Sequence, residues 1–327
     1  MAAAVLPVPV AGQAPVPARQ AALQDLRSLD QRVETAGYRL AVANLDLCRD
    51  HVWLPGFAVH DLSQYGAEFR PAAIRAFGLD AGPAILALAA GGPAERAGLR
   101  LDDILLAVDG RPPPQGPIGR DRSFERMEQI LAMLDTAFAD GRADLHIRRA
   151  GAIQDVAVPA VQGCATRFQV VPGGGLNASA DGRYVQVTSA IATYVADDGE
   201  LAAVLAHEFA HNVLGHRARL DAARVQRGFL GNFGRNATRI RETEVEADRL
   251  SVYLLERAGY DPQAAVRFWT RFGPRGLNFL GSPTHPNWRR RIASFEAEIA
   301  LIRAARAAGR MPMPAFLSAA APAAAAP

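Results

Sequence analysis

The chain of 327 residues contains no lysine; all 36 of its basic residues are arginine. So uniform a bias belongs to composition rather than recognition, and against 33 acidic residues it leaves a net charge of only +3. A nucleic-acid surface interleaves clustered basic residues with aromatics, and the aromatic share is 7% with no such interleaving. No nucleic-acid partner is expected. Long apolar runs are missing too: no stretch reaches the roughly 18 uninterrupted apolar residues of a membrane-spanning helix. Cysteine is scarce. Cys48 and Cys164 are the only two, far apart and outside any CxxC pattern, which argues against a cysteine metal site. A pair of buried thiols and one disulfide are both compatible with them.

Apolar residues are plentiful, at half of the chain. That excludes wholesale disorder, and at roughly 150 residues per domain the length suggests about two domains. Residues 1–20 read as an Ala/Pro-rich leader or linker, without the positive n-region of an intact secretory signal. Residues 21–74 read as a helix and a strand packing on the last domain, with Leu23, Leu26, Leu29 and Val33 at helical spacing and Tyr38 to Leu47 alternating like a strand. A β-rich domain over 75–161, a mainly helical domain over 162–310 and an Ala/Pro-rich tail over 311–327 complete the division. The fold class is α+β.

In the β-rich domain, Ala84 to Leu88 reads as a strand and Pro93 to Gly98 as a short helix closed by glycine. Asp103 to Val108 is a strand ended by the Asp109-Gly110 turn, and Ser123 to Phe138 is an amphipathic helix. Strands at Asp144 to Arg149 and Ile153 to Val158 follow. The run GGPAERAGLRLDDILLAVDGRPP resembles PDZ domains of the bacterial protease type. That resemblance implies a groove where a peptide C-terminus adds as a strand, its carboxylate held by backbone N–H groups. Phe77, Gly78 and Leu79 match the carboxylate loop.

The chemistry is concentrated in LAAVLAHEFAHNVLGH, Leu201 to His216, which follows Asp197 and Glu200 at capping-box spacing. It contains HExxH. Residues four apart share a helix face, so His207 and His211 can offer two imidazole nitrogens to one Zn²⁺, with Glu208 beside them as general base. An ordinary core helix would have no use for a glutamate between two histidines, where unpaired charge is costly.

A catalytic zinc site takes three protein ligands and keeps one position open. Leu214 and Arg217 stand where a metzincin has Gly and His, and no Glu lies between Glu208 and Glu242. His216, on a continuing helix, points away from the pair and suits the helix terminus or a supporting hydrogen bond. Helical periodicity puts Glu244, Ala247, Asp248, Ser251, Leu254 and Leu255 on one small, apolar stripe and Glu242, Glu246, Arg249, Tyr253 and Glu256 on a polar one. An acid on the buried stripe needs a partner, which makes Glu244 the third ligand. Asp248 then holds a zinc histidine by its second nitrogen, and Glu242 and Glu246 are read as a solvated face.

HExxH followed by ETEVEADRLSVYLLERAGYDP resembles the M48 metallopeptidases, whose signature ends in ExxAD, over about Gly163 to Arg291. LNASADG is similar to the family's substrate-aligning edge strand, which makes Asn177 and Ala178 substrate contacts. SPTHPNWRRR is similar to the family's His-Pro segment, which makes His285 and Arg291 candidates for substrate or oxyanion contact; in some members the matching histidine caps the zinc instead. The membrane helices of the membrane-embedded branches are absent from this sequence.

The expected activity is therefore zinc-dependent endopeptidase cleavage of unfolded or extended polypeptide, one Zn²⁺ per chain, with the PDZ-like domain recruiting substrate or regulating access. The alternative is a latent or inactive protease fold serving as a peptide-binding, chaperone-like module; a hydrolase of small esters or amides is a third. Between Arg217 and Arg241 seven arginines face only Asp221, which reads either as a mobile lid suited to acidic partners and peripheral membrane contact or as a solvated connector. The leader, the cysteine pair and the lack of a span favour a bacterial periplasm or secretion.

Overall fold

The computed structural model describes residues 15–79, 82–225, 234–275 and 287–319. The chain forms two compact units and visits each twice: residues up to 34 and 53–161 make the first, residues 35–52 and those from 162 onward the second. Helix α1 (Val16–Ala43) is divided between them. The strand expected over Tyr38 to Leu47 is instead the end of α1 and a 3-10 turn at Leu45–Leu47. Tyr38, Leu40 and Val42 do alternate, but Val33, Ala36, Leu40, Ala41 and Asn44 also recur at three-and-four spacing, and those are the buried ones. A helix already nucleated upstream extends cheaply when its apolar stripe continues.

In the first unit, β1 (His51–Leu54) precedes a five-stranded antiparallel sheet. Its strands, in spatial order, are β2 (Phe57–His60), β3 (Ala84–Leu88), β4 (Ile104–Val108), β5 (Arg142–Arg149) and β6 (Ala152–Pro159). Ala150 and Gly151 both take positive φ, the turn whose twist matches a β-hairpin. Helix α4 (Glu125–Ala137) lays Met127, Ile130 and Leu134 on Ile85, Leu105, Leu145 and Ile147 of the sheet, an apolar core with α3 (Pro93–Arg96) at its rim.

Helix α2 (Arg70–Phe77) decides what becomes of the sequence Phe77-Gly78-Leu79. Phe77 and Leu79 are buried with Leu23, Ala73, Ala84 and Ile104. Gly78, at φ 67°, caps the helix and donates its N–H to Ile74 O at 2.9 Å. The helix end thus takes up the Gly78 N–H and the core takes the two apolar side chains, while Gly78 itself is exposed and with Phe77 borders a cavity. Nearby His60 is buried against Phe77, its Nδ1 2.8 Å from the Tyr65 hydroxyl. Burial, and then the charge of Arg27, push its pKa down to about 3.

The second unit joins a small sheet to a helical body. In the sheet, β10 (Tyr184–Thr188) lies between β8 (Arg167–Val171), parallel to it, and β9 (Ala178–Ala180), antiparallel and at the edge. The helices are α5 (Ser189–Tyr194), α6 (Asp198–Val213), α7 (His216–Ala222), α8 (Gly234–Arg257), α9 (Gln263–Phe272) and α10 (Trp288–Ala307). Asp197 caps α6 by accepting from Glu200 N–H at 2.8 Å, while the Glu200 carboxylate accepts from Ala196 N–H at 2.9 Å. Leu201 through Ala206, Phe209, Ala210 and Val213 are all buried, so α6 is apolar all round and forms the axis of this unit.

Cys48 and Cys164 form a disulfide across a sequence separation of 116. Both ends lie in the second unit, and the enclosed loop contains the whole 53–161 stretch of the first. Of the two states compatible with the sequence, the fold takes the bridge. Among the described residues no helix is long and apolar enough to cross a membrane.

Candidate metal centre

Helix α6 brings His207 and His211 onto one face, and α8 packs along it with Glu244 opposite both. His207 Nε2 and His211 Nε2 are 3.4 Å apart; Glu244 Oε2 is 3.5 Å from the first and Glu244 Oε1 3.4 Å from the second. Ligands at about 2.05 Å in tetrahedral array around zinc lie about 3.3 Å from one another. The three separations therefore fit one small cation, and the donor set, two imidazoles and a carboxylate, suits a borderline metal. Without a cation, burial and the Arg291 charge oppose protonation of His207, but hydrogen bonds to Asp248 and Glu244 outweigh them and raise its pKa to about 10. Burial pushes His211 down to about 3. A proton on His207 thus stands in for positive charge that the carboxylates call for.

Each histidine is held from behind. His207 Nδ1 lies 3.0 Å from Asp248 Oδ1, one turn after Glu244 on α8. Asp248 also accepts from Arg291 of α10, whose guanidinium is buried 3.7 Å over the Trp269 ring. Arg291, expected near substrate, is thus engaged with Asp248 and lies within 3.3 Å of His207 Nδ1. His211 Nδ1 lies 2.9 Å from His216 Nδ1, and His216 Nε2 lies 3.0 Å from Glu246 Oε2. Arg219 completes the chain at 2.6 Å from the same oxygen. The hydrogen bond from His216, together with Arg219, lowers the Glu246 pKa to about 2 against partial burial.

These contacts correct the reading of the α8 polar stripe. Glu242 is exposed as expected, but Glu246 is committed to His216 and Arg219. Tyr253 is buried and donates to Glu298 Oε2 at 2.8 Å, because α10 covers that side of the helix.

A cavity of about 320 Å³ opens over the cluster, and Glu208, Glu244, Asn177 and Ala178 line it. Strand β9 runs beside α6, and Asn212, directly after His211, ties the two together by accepting from Gly182 N–H at 2.8 Å. Asn177 is itself bonded to Thr188 of the neighbouring strand, at 3.0 Å from its carbonyl. His285 lies outside the described residues, as does the 226–233 part of the arginine-rich connector.

A model of peptidase family M48 matches residues 143–234 and 229–299, and a PDZ-domain model matches residues 85–140. This chain carries an M48 peptidase domain and a PDZ domain. The chain is 35% identical over 122 residues to a Schizosaccharomyces pombe protein named mitochondrial metalloendopeptidase OMA1, covering 31% of this chain and 36% of the relative. It is 30% identical over 152 residues to a Yersinia pestis protein named beta-barrel assembly-enhancing protease, covering 36% and 31%. The Saccharomyces cerevisiae metalloendopeptidase OMA1 is 29% identical over 151 residues, covering 38% and 40%. The M48 chain thus spans well under half of the length of each of these relatives.

Among the residues singled out from the sequence of the M48 domain, the fold gathers His207, Glu208, His211, Glu244, Asp248, Arg291, Asn177 and Ala178 around one cavity. Phe77, Gly78 and Leu79 belong to the other unit, Phe77 and Leu79 in its core and Gly78 exposed beside a second cavity. The sequence reading missed Asn212 and Glu246. Asn212 follows the motif directly, and its adjacency was the available signal; nothing local pointed from Glu246 to His216.

Proposed function

We propose that this M48 chain is a zinc-dependent endopeptidase acting on unfolded or extended polypeptide, with its PDZ domain recruiting substrate or regulating access. One observation carries the reading: two histidine nitrogens and a glutamate carboxylate converge at 3.4–3.5 Å in a cavity flanked by an edge strand. His207, His211 and Glu244 would hold the ion. When bound, zinc supplies Lewis-acid chemistry, polarising an oxygen ligand so that a carbonyl becomes more electrophilic and water more acidic.

The remaining work belongs to side chains. Glu208 follows His207 in α6 and lines the cavity, placed to take a proton from water and pass it to the departing amine. Asp248 fixes the His207 tautomer, and Arg291 holds Asp248 in place. Substrate lies extended along β9 at Asn177 and Ala178 as an added strand, which favours chains without their own structure. The disulfide supports an oxidising compartment, the periplasm or the extracellular space.

Cleavage of reduced casein by wild type and by Glu208→Gln, compared at equal zinc occupancy, tests this reading. Cleavage by wild type alone is expected. Zinc-loaded wild type that leaves casein intact would sink it in favour of the latent, peptide-binding module.

A further inference from the structure

His216 takes no part in the proposed reaction, yet it is 1% exposed and bonded at both ring nitrogens. Its position is built, not incidental. On a continuous helix a residue five places after His211 points about 140° away from it. Here α6 stops at Val213, and Gly215 turns the chain in the left-handed conformation, φ 61° and ψ 33°, before α7 begins with His216. That turn brings the two rings edge to face, with centroids 4.9 Å apart.

Proton counting then leaves one arrangement compatible with metal binding. Two Nδ1 atoms at 2.9 Å share a single proton. Glu246, paired with Arg219, accepts the proton on His216 Nε2. With that proton on Nε2, His216 presents a lone pair at Nδ1, so His211 carries its own proton on Nδ1. His211 Nε2 is left as a bare lone pair aimed at His207 and Glu244. The opposite tautomer would point an N–H at the place of the cation.

We propose that His216, backed by Glu246 and Arg219, is a positioning residue that sets the tautomer of His211 and thereby the zinc affinity of the centre. The proposal rests on the zinc reading above. It gives the two histidine ligands different supports: a carboxylate directly behind His207, and an imidazole relayed to a carboxylate behind His211. Helix α8 supplies both carboxylates, Glu246 and Asp248, two and four residues after Glu244.

The test is the Zn²⁺ dissociation constant by chelator competition, with thermal unfolding of the zinc-free proteins alongside. His216→Phe keeps a ring in the buried site but offers no acceptor; zinc affinity should fall about 10- to 100-fold. His216→Asn places Oδ1 where Nδ1 stood and should restore most of the affinity, a rescue that a merely structural role would not produce. A Phe variant that binds zinc like wild type, or an Asn variant no better than Phe, overturns the proposal. Glu246→Ala, at a half-buried surface position, serves where His216→Phe does not fold: weakened zinc binding supports the relay and unchanged binding overturns it. Wild type that binds no zinc removes the underlying reading first, before any variant is compared.

Discussion

The two units bury different things. The sheet core of the PDZ-bearing unit is apolar, with Ile85, Leu105, Ile130, Leu145 and Ile147 closing against one helix, and its buried acids Asp61 and Asp103 lie apart, paired with Arg126 and Arg149. The M48 unit buries Glu244, Asp248 and Arg291 around two histidines. An apolar core stabilises a fold by leaving water. A buried cluster of charge costs desolvation and is weak evidence for stability, so its persistence points to work done there.

Four measurements would break or sharpen this contrast. The largest effect is expected at Glu208: Glu208→Gln should lower kcat/KM on casein by about 10²- to 10⁴-fold while leaving zinc content and unfolding unchanged. A stability loss of similar weight to the activity loss would show that Glu208 is structural. Next, Ile130→Ala in the apolar core should cost about 2–5 kcal/mol in denaturant unfolding of the first unit without altering Zn²⁺ affinity of the second. Coupled loss of zinc would mean that the units do not divide the labour as argued.

Asp248→Asn should weaken zinc about 10- to 100-fold, because an amide accepts less strongly from His207 Nδ1 and no longer balances Arg291. Binding as tight as wild type would remove Asp248 from the centre. The last effect, spread over several pH units, lies in the first unit, at its one deeply buried imidazole. His60 stays neutral in the folded chain down to about pH 3, whereas the unfolded chain takes up the proton below its ordinary value of 6.5. Its contribution is intact above pH 6.5 and is lost as pH falls toward 3, at about 1.4 kcal/mol per pH unit. Denaturant midpoints between pH 7 and 4 should show this slope, and His60→Phe should flatten it; equal slopes would dismiss it.

The candidate site was largely legible because its chemistry is local. His207, Glu208 and His211 fall within five residues of one helix, where a four-residue spacing is itself a geometry. Glu244 and Asp248 followed from which acids share the buried stripe of α8. The strands from Ala84 to Val158 were legible for the same reason, each carrying its own pattern and turn. Tyr38 to Leu47 was misread because one short segment satisfied two periods at once, and upstream helix decided between them. At Phe77-Gly78-Leu79 a three-residue pattern could not reveal that a helix end takes the Gly78 N–H and a core takes the two apolar side chains.

By itself, the sequence determined the identity and spacing of the two histidines and the glutamate that could hold a metal, since helical geometry converts residue number directly into direction. Only tertiary structure decided what stands behind them. The pairing of Cys48 with Cys164, the seat of Arg291 on Asp248 and the seat of His216 on Glu246 all depend on where distant segments meet. A hydrogen bond or a bridge is set by ångström distances between atoms far apart in the chain, and such distances exist only once the helices have packed.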